Sequence, residues 1–287
     1  MIQSLSTEYP VNMLCETLGA SRSGYLAAQG RCPGSRHQGN QTLVGQIHQA
    51  HKASRGTYGS PRVTWELNAQ GIRCNKKRVA RLMKQEGLRG QLKKRYRPRT
   101  TDSRHDQPVA PNRLPDWLTG KMTDRIAWVG DITYIETQEG WLYLAALMDL
   151  KVRKIVGWAA EDHMREELVR TALSKAMRQR PEGVAVLHHS DRGRQYAAAG
   201  YRDCLAQANI TPSMSATGYC YDNAAMESFW ATLKRECFGN YVPRTREEAR
   251  LMIFDYIEVF YNRQRRHSSL GYLSPVDYET KLRYMRN

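Results

Sequence analysis

Long apolar runs, paired cysteines and acidic residues are absent or in short supply in this 287-residue chain. No stretch of 18 apolar residues occurs and the mean hydropathy is -0.66, which argues against a membrane-spanning helix. The N-terminus, MIQSLSTEYPVNMLCETLGA, has no basic start followed by an apolar block, so no secretory signal is predicted and a cytoplasmic location is. Six cysteines, Cys15, Cys32, Cys74, Cys204, Cys220 and Cys237, include no CxxC pair and none near a histidine at zinc-finger spacing. Reduced thiols are the expectation. His48 and His51 stand three apart without a matching cysteine pair, so zinc is not predicted either. There is no internal repeat and no low-complexity tract.

Basic residues are abundant: 44 Lys and Arg face 28 Asp and Glu, a formal net charge of +16. Residues 1–120 hold 20 basic against 7 acidic side chains, so +13 of that charge sits in the N-terminal part. Such a balance favours a polyanionic partner, because each phosphate neutralised by Lys or Arg releases a condensed counterion. Residues 40–90 read as helices. A first is expected from about Asn40 to Ala53, and a second from Pro61 to Ala69 with Ser60 as its cap, ended by Gly71. A third is capped by Asn75 and stopped at Gly87–Leu88. Its apolar stripe is Val79, Leu82 and Met83, while Lys76, Lys77, Arg78, Arg81 and Lys84 cover the other surface. Short helices ending in a basic one have the pattern of a helix-turn-helix, whose last helix would enter the major groove of double-stranded DNA. A solvated basic face on an ordinary bundle is the plainer account.

Between Gln91 and Pro115 the sequence is rich in Pro and charge and poor in apolar residues, which predicts a basic linker lying along DNA, with Lys93, Lys94 and Arg95 as phosphate contacts. Beyond Lys121 three strand-like runs, from Ile126, Trp141 and Lys154, are separated at hairpin lengths, so successive antiparallel strands are expected. A helix near Glu166–Arg178, a strand from Val184, a helix around Gly200–Ala208, a strand near Pro212–Ala216 and a long helix from about Asn223 to Cys237 complete an α/β layer order. The expected modules are thus 1–39 (helical), 40–90 (helix-turn-helix-like), 91–120 (linker), 121–240 (α/β core) and 241–287. In the last, Thr245 and Glu248 have capping-box spacing, and YNRQRRHSSLGY reads as an irregular basic tail offering Arg263, Arg265 and Arg266 to DNA.

Phosphodiester cleavage needs an activated nucleophilic oxygen and a stabilised leaving oxygen, which two divalent ions about 4 Å apart can provide if hard oxygen ligands hold them. Asp131 lies inside the first strand among apolar and β-branched neighbours, Asp191 at the end of VAVLHHSD, and Glu227 early on the long helix. Each has a plainer account: an acid bonded to a backbone amide, a turn-forming Asp, a solvated helix residue. Lys234, seven residues after Glu227 and two helical turns along, could meet a phosphate beside them. His188 and His189 precede Asp191 closely, but strand packing or DNA contact suits them better than catalysis.

Six segments, in order, resemble the OrfB-type transposases of bacterial insertion sequences, relatives of retroviral integrases. They are YGSPRV (58–63), KRVARLM (77–83), WVGDITYI (128–135), HSDRGRQY (189–196), DNAAMESFWATLKRE (222–236) and YNRQRRHSSLGYLSP (261–275). The resemblance implies a ribonuclease-H-like integrase catalytic core with Asp131, Asp191 and Glu227 as ligands of two Mg2+ or Mn2+ ions. It also implies DNA 3′-end cleavage and strand transfer on element ends and target DNA near the bacterial nucleoid. Joining two ends calls for at least a homodimer. OrfB-type segments often act with an upstream OrfA-type partner or as a fusion to it, and no leucine-zipper heptads are present. A nuclease of the same fold and a non-catalytic DNA-binding regulator stay open at this point.

Overall fold

A computed structural model describes residues 1–29, 34–91, 107–215 and 223–285. The chain divides into two compact units, Met1–Gly90 and Gln91–Asn287. Among the described residues no helix is long and apolar enough to cross a membrane, and Cys15, Cys74, Cys204 and Cys237 carry no disulfide.

In the first unit, α1 (Ile2–Leu5), α2 (Val11–Thr17) and α3 (Arg22–Gln29) precede α4 (Ser35–Ala53), α5 (Ser60–Ala69) and α6 (Lys76–Gln85). Leu43 and Ile47 of α4, Val63 and Leu67 of α5, and Val79, Leu82 and Met83 of α6 form its core. The cap of α6 is the expected one: the Asn75 side chain accepts from the Arg78 amide at 2.8 Å. So is its stop, where Gly87 adopts φ +69 and the Leu88 amide donates to the Met83 carbonyl at 2.8 Å. Two local expectations fail. The long helix α4 begins at Ser35 rather than Asn40, and Gly59, not Ser60, occupies the N-cap of α5. Ser60 is drawn into the first turn, where its carbonyl accepts from the Thr64 hydroxyl at 2.7 Å.

The second unit opens with α7 (Leu114–Leu118), then β1 (Arg125–Thr137), β2 (Gly140–Asp149) and β3 (Ile155–Glu161). These are followed by α8 (Glu166–Met177), β4 (Ala185–Ser190), α9 (Arg194–Ala197), α10 (Ala199–Gln207) and β5 (Ile210–Met214). After them come α11 (Ala224–Leu233), α12 (Arg246–Phe254) and α13 (Pro275–Tyr284). The sheet order is β3-β2-β1-β4-β5. The first three strands form the antiparallel meander expected from their short connections, while β4 and β5 join in parallel by helical crossovers. Gly157 on β3 lets α8 approach, since a Cβ there would collide with the Ala172 carbonyl and Ala176. Trp128, Leu147, Leu168, Leu173, Val186, Tyr196 and Tyr201 belong to the resulting core.

β5 starts at Ile210, two residues before its expected position, because Ile210 joins the core and Pro212 is tolerated on an edge strand. The linker reading also needs correction after residue 107. Leu114 is buried, the Arg113 amide donates to Ser213 Oγ at 2.9 Å, and the Trp117 indole donates to the Arg125 carbonyl. Lys93, Lys94 and Arg95 lie outside the described residues.

At the far end, α11 continues in wider π-type turns over Lys234–Phe238, and α12 does the same over Asp255–Tyr261. Thr245 caps α12 as its spacing predicts, accepting from the Glu248 amide at 3.0 Å. The expected irregular tail is instead structured: Asn262 bonds both the amide and carbonyl of Ile155, and α13 is capped by Ser274. Arg265 is therefore corrected from a DNA contact to an interior residue. It is 4% exposed, and its Nε and Nη2 each donate to Glu236 at 2.7 Å, with the Tyr256 hydroxyl completing the cluster.

Removing one partner of such a pair strands a buried charge. Glu236→Ala should lower unfolding free energy by about 3–5 kcal/mol in urea denaturation. A loss under about 1 kcal/mol, the range of exposed pairs, would show that the pair is effectively solvated.

Candidate active site

The parallel register of β1 on β4 pairs Gly130 with Ser190, so the next step along both chains sets Asp131 beside Asp191. Neighbouring strands lie about 4.8 Å apart, close enough for unscreened carboxylates to repel. Gly130 makes room beneath them, because a Cβ there would come 2.7 Å from the His188 ring. His188 is buried, bonds the Tyr201 hydroxyl at 2.8 Å, and has its pKa depressed by burial to about 4. His189 is held by Ser213 and Ser215. Both histidines thus pack the strand, as expected.

Asp131 is half-buried. Its Oδ1 accepts from the Ile132 amide at 2.8 Å and its Oδ2 from the Trp230 indole at 3.0 Å. Burial pushes its pKa up to about 7, the Asp191 charge adds to the rise, the two hydrogen bonds oppose it, and Glu227 contributes a smaller upward push. Asp191 Oδ1 accepts from the Gly193 amide at 2.9 Å, and Glu227 sits exposed in the first turn of α11. The plainer account of each acid therefore holds locally; what it leaves unexplained is their mutual repulsion. The arrangement brings Asp131 and Asp191 together more closely than Glu227. Among the described residues no three His, Cys, Asp or Glu side chains gather tightly enough to hold one ion.

Two site residues carried no signal as such in the sequence. Trp230 reads as part of an apolar stripe, yet it stands three residues after Glu227, hence on the same helical face, and tethers α11 to Asp131. Tyr196 is 2% exposed, and its hydroxyl has no hydrogen-bond partner among the described residues. Burial raises its pKa, and the charges of Asp131 and Asp191 raise it further. Lys234 is half-buried with Nζ 4.8 Å from the Tyr134 ring centroid; burial lowers its pKa while Asp131 pulls it up. A set of hard carboxylate donors, repelling one another beside an orphaned hydroxyl, fits a hydrated divalent cation by its chemistry.

The family described as "Integrase core domain" matches residues 125–220 and, through a second such family, residues 208–275; "HTH-like domain" matches residues 38–96. The Shigella sonnei insertion element IS600 uncharacterized 31 kDa protein is 44% identical over 95% of this chain and 99% of its own length. Transposase InsF for insertion sequence IS3A of Escherichia coli K12 is 40% identical over 98% of this chain and 97% of its own. The chain belongs to the IS3-family insertion-sequence transposases. It is accordingly a polynucleotidyl transferase with an integrase core and an HTH-like unit. Among solved structures, a simian T-cell lymphotropic virus intasome in complex with PP2A regulatory subunit B56 gamma aligns over 81% of this chain and 73% of its own, at 11% identity and a TM-score of 0.44. The HTLV-2 integrase catalytic core domain in complex with magnesium aligns over 54% and 95%, at 11% identity and a TM-score of 0.41.

The electrostatics of this transposase site yield two expectations. Because the folded-state pKa of Asp131 is raised, its contribution to stability is fully present below the ordinary carboxylate value of 3.8 and is lost as pH rises through about 7. With metal chelated, Asp131→Asn should thus exceed the parent in stability by roughly 2 kcal/mol at pH 8, the gap closing toward pH 4. Melting curves that run parallel across that range would contradict the shift. Trp230→Phe removes a donor to the carboxylate and should raise its pKa further. At subsaturating Mg2+ the acidic limb of DNA cleavage should then move up by roughly half a pH unit, and an unmoved limb would mean that the indole does not tune Asp131.

Proposed function

We propose that this transposase cuts the ends of its mobile element and joins them to target DNA at a centre built from Asp131, Asp191 and Glu227. The observation that carries the assignment is the in-register pairing of β1 with β4, which sets Asp131 beside Asp191, together with the Trp230 indole that ties Asp131 to the helix carrying Glu227. Burial, and to a lesser degree the charges of Asp191 and Glu227, raises the proton affinity of Asp131. Such a carboxylate cluster is costly unless a cation neutralises it. Asp131, Asp191 and Glu227 would hold two divalent ions, Mg2+ or Mn2+. Bound there, the ions would supply activation of an attacking water and stabilisation of the leaving oxygen.

The side chains divide the remaining work. Trp230 holds one Asp131 oxygen and ties β1 to the helix that carries Glu227. Lys234 offers a cation beside Asp131 to a DNA phosphate. In the first step an oxygen–phosphorus bond forms from water and the bond to the 3′ oxygen breaks, freeing a 3′ hydroxyl. That oxygen then bonds a target phosphorus and displaces the target's own 3′ oxygen, so no covalent enzyme intermediate is needed. Basic residues of α6, with Lys93, Lys94, Arg95, Arg263 and Arg266, would hold the DNA. The active assembly would be at least a homodimer on DNA in the bacterial cytoplasm, with an OrfA-type partner or fusion supplying further contacts.

Incubating the purified chain with labelled element ends and Mg2+, then sequencing joined products, tests this reading. Asp131→Asn should abolish both cleavage and joining while DNA affinity stays nearly unchanged; strand transfer retained in that variant refutes the assignment. Pre-cleaved ends bearing a free 3′ hydroxyl should be joined by the parent, whereas hydrolysis without joining would indicate a nuclease.

A further inference from the structure

The first unit carries an open groove of about 610 Å³ lined by Arg36, Gly39, Asn75, Lys77, Arg78 and Arg81. One wall is the start of α4 and the other the N-terminal half of α6. Four of the six lining residues are cations, none is acidic, and none is aromatic. Among the described residues no acid pairs with Arg36, Lys77 or Arg81.

The placement of these charges is unfavourable in the isolated protein. A helix N-terminus carries partial positive charge and is normally matched by Asp or Glu in its first turn. The first turn of α6 instead holds Lys76, Lys77 and Arg78 with no acid, and that of α4 likewise has no acid while Arg36 stands in it. Arg78 is also aimed: its Nε donates to Asn40 Oδ1 at 3.0 Å, which fixes the guanidinium. Gly39 lies alongside it, a Cβ there being in ordinary contact with Nη2 at 3.7 Å. A guanidinium held by one edge, facing uncompensated cations and a helix N-terminus, is suited to accept an anion.

We propose that this groove seats the phosphodiester backbone of duplex DNA without reading its sequence. Arg36, Lys77, Arg78 and Arg81 contact the backbone, and Asn40 acts as the positioning residue for Arg78. The inference rests on the reading that this unit binds DNA, and it sharpens that reading. Three α6 cations are assigned to the backbone rather than to base edges, and Arg36, which lies outside the matched HTH-like segment 38–96, joins them. Among the described residues that line the groove none is aromatic, so they offer no platform for a base to stack on, which favours backbone over nucleobase.

The test is fluorescence anisotropy of the full chain on an element-end duplex and on a scrambled duplex of equal length, over a series of salt concentrations. Arg36→Gln should weaken binding to both duplexes by the same factor and make the slope of log affinity against log salt shallower by about 0.9. Asn40→Ala should weaken both equally but by less. Circular dichroism checks that each variant is folded. A loss confined to the element-end duplex would overturn the proposal in favour of base readout. The double variant Lys76→Gln/Lys84→Gln, which removes α6 cations outside the groove, separates the two levels of the argument. If it weakens binding while Arg36→Gln does not, the groove proposal alone fails. If neither variant changes binding, the DNA-binding reading of this unit fails with it.

Discussion

The in-register parallel pairing of β1 with β4 is the constraint on which the catalytic unit depends. It is what sets Asp131 beside Asp191, and a slip of one residue would turn the two acids to opposite faces of the sheet. Several features far apart in the chain protect that register. Gly130 admits the His188 ring beneath the site, and Gly157 lets α8 press onto the meander. Tyr201 holds His188 from the crossover helix, while Ser213 of the next strand and Ser215 just after it hold His189. The pairing is thus clamped by hydrogen bonds and close packing.

Both units carry local electrostatic cost where they are expected to meet their substrates. In the integrase core the cost is negative charge: burial first, and then the neighbouring Asp191 and Glu227 charges, push the Asp131 pKa up to about 7. In the HTH-like unit it is positive charge, cations gathered at helix N-termini that ordinarily favour acids. By contrast, Arg265 and Glu236 are matched in the interior: they form a two-point ion pair and tie the turns after α11 to the C-terminal segment. Matched charge holds the fold together, and unmatched charge marks the surfaces that await an ion or a phosphate.

Local structure was legible wherever a short-range physical rule governed it. Asn75, Gly87 and Thr245 act where their spacing says, because capping and left-handed stops involve only residues a few positions apart. Hairpin-length connections likewise implied the antiparallel meander. Reading failed where long-range packing decided. Arg265 belongs to a run that looks uniformly basic, and only the fold brings Glu236 from 29 residues away to neutralise it. Trp230 reads as one more apolar residue until its indole is found on Asp131, 99 residues distant.

The sequence by itself determined the partner chemistry, the order of helices and strands, the family, and the three acids worth watching, since composition, periodicity and motif spacing are properties of the chain. Only the tertiary structure decided which acids repel one another, which cations are exposed and which are spent inside, and which neutral side chains orient them. Those are outcomes of distance and burial, and both arise when segments remote in sequence exclude water from the same place.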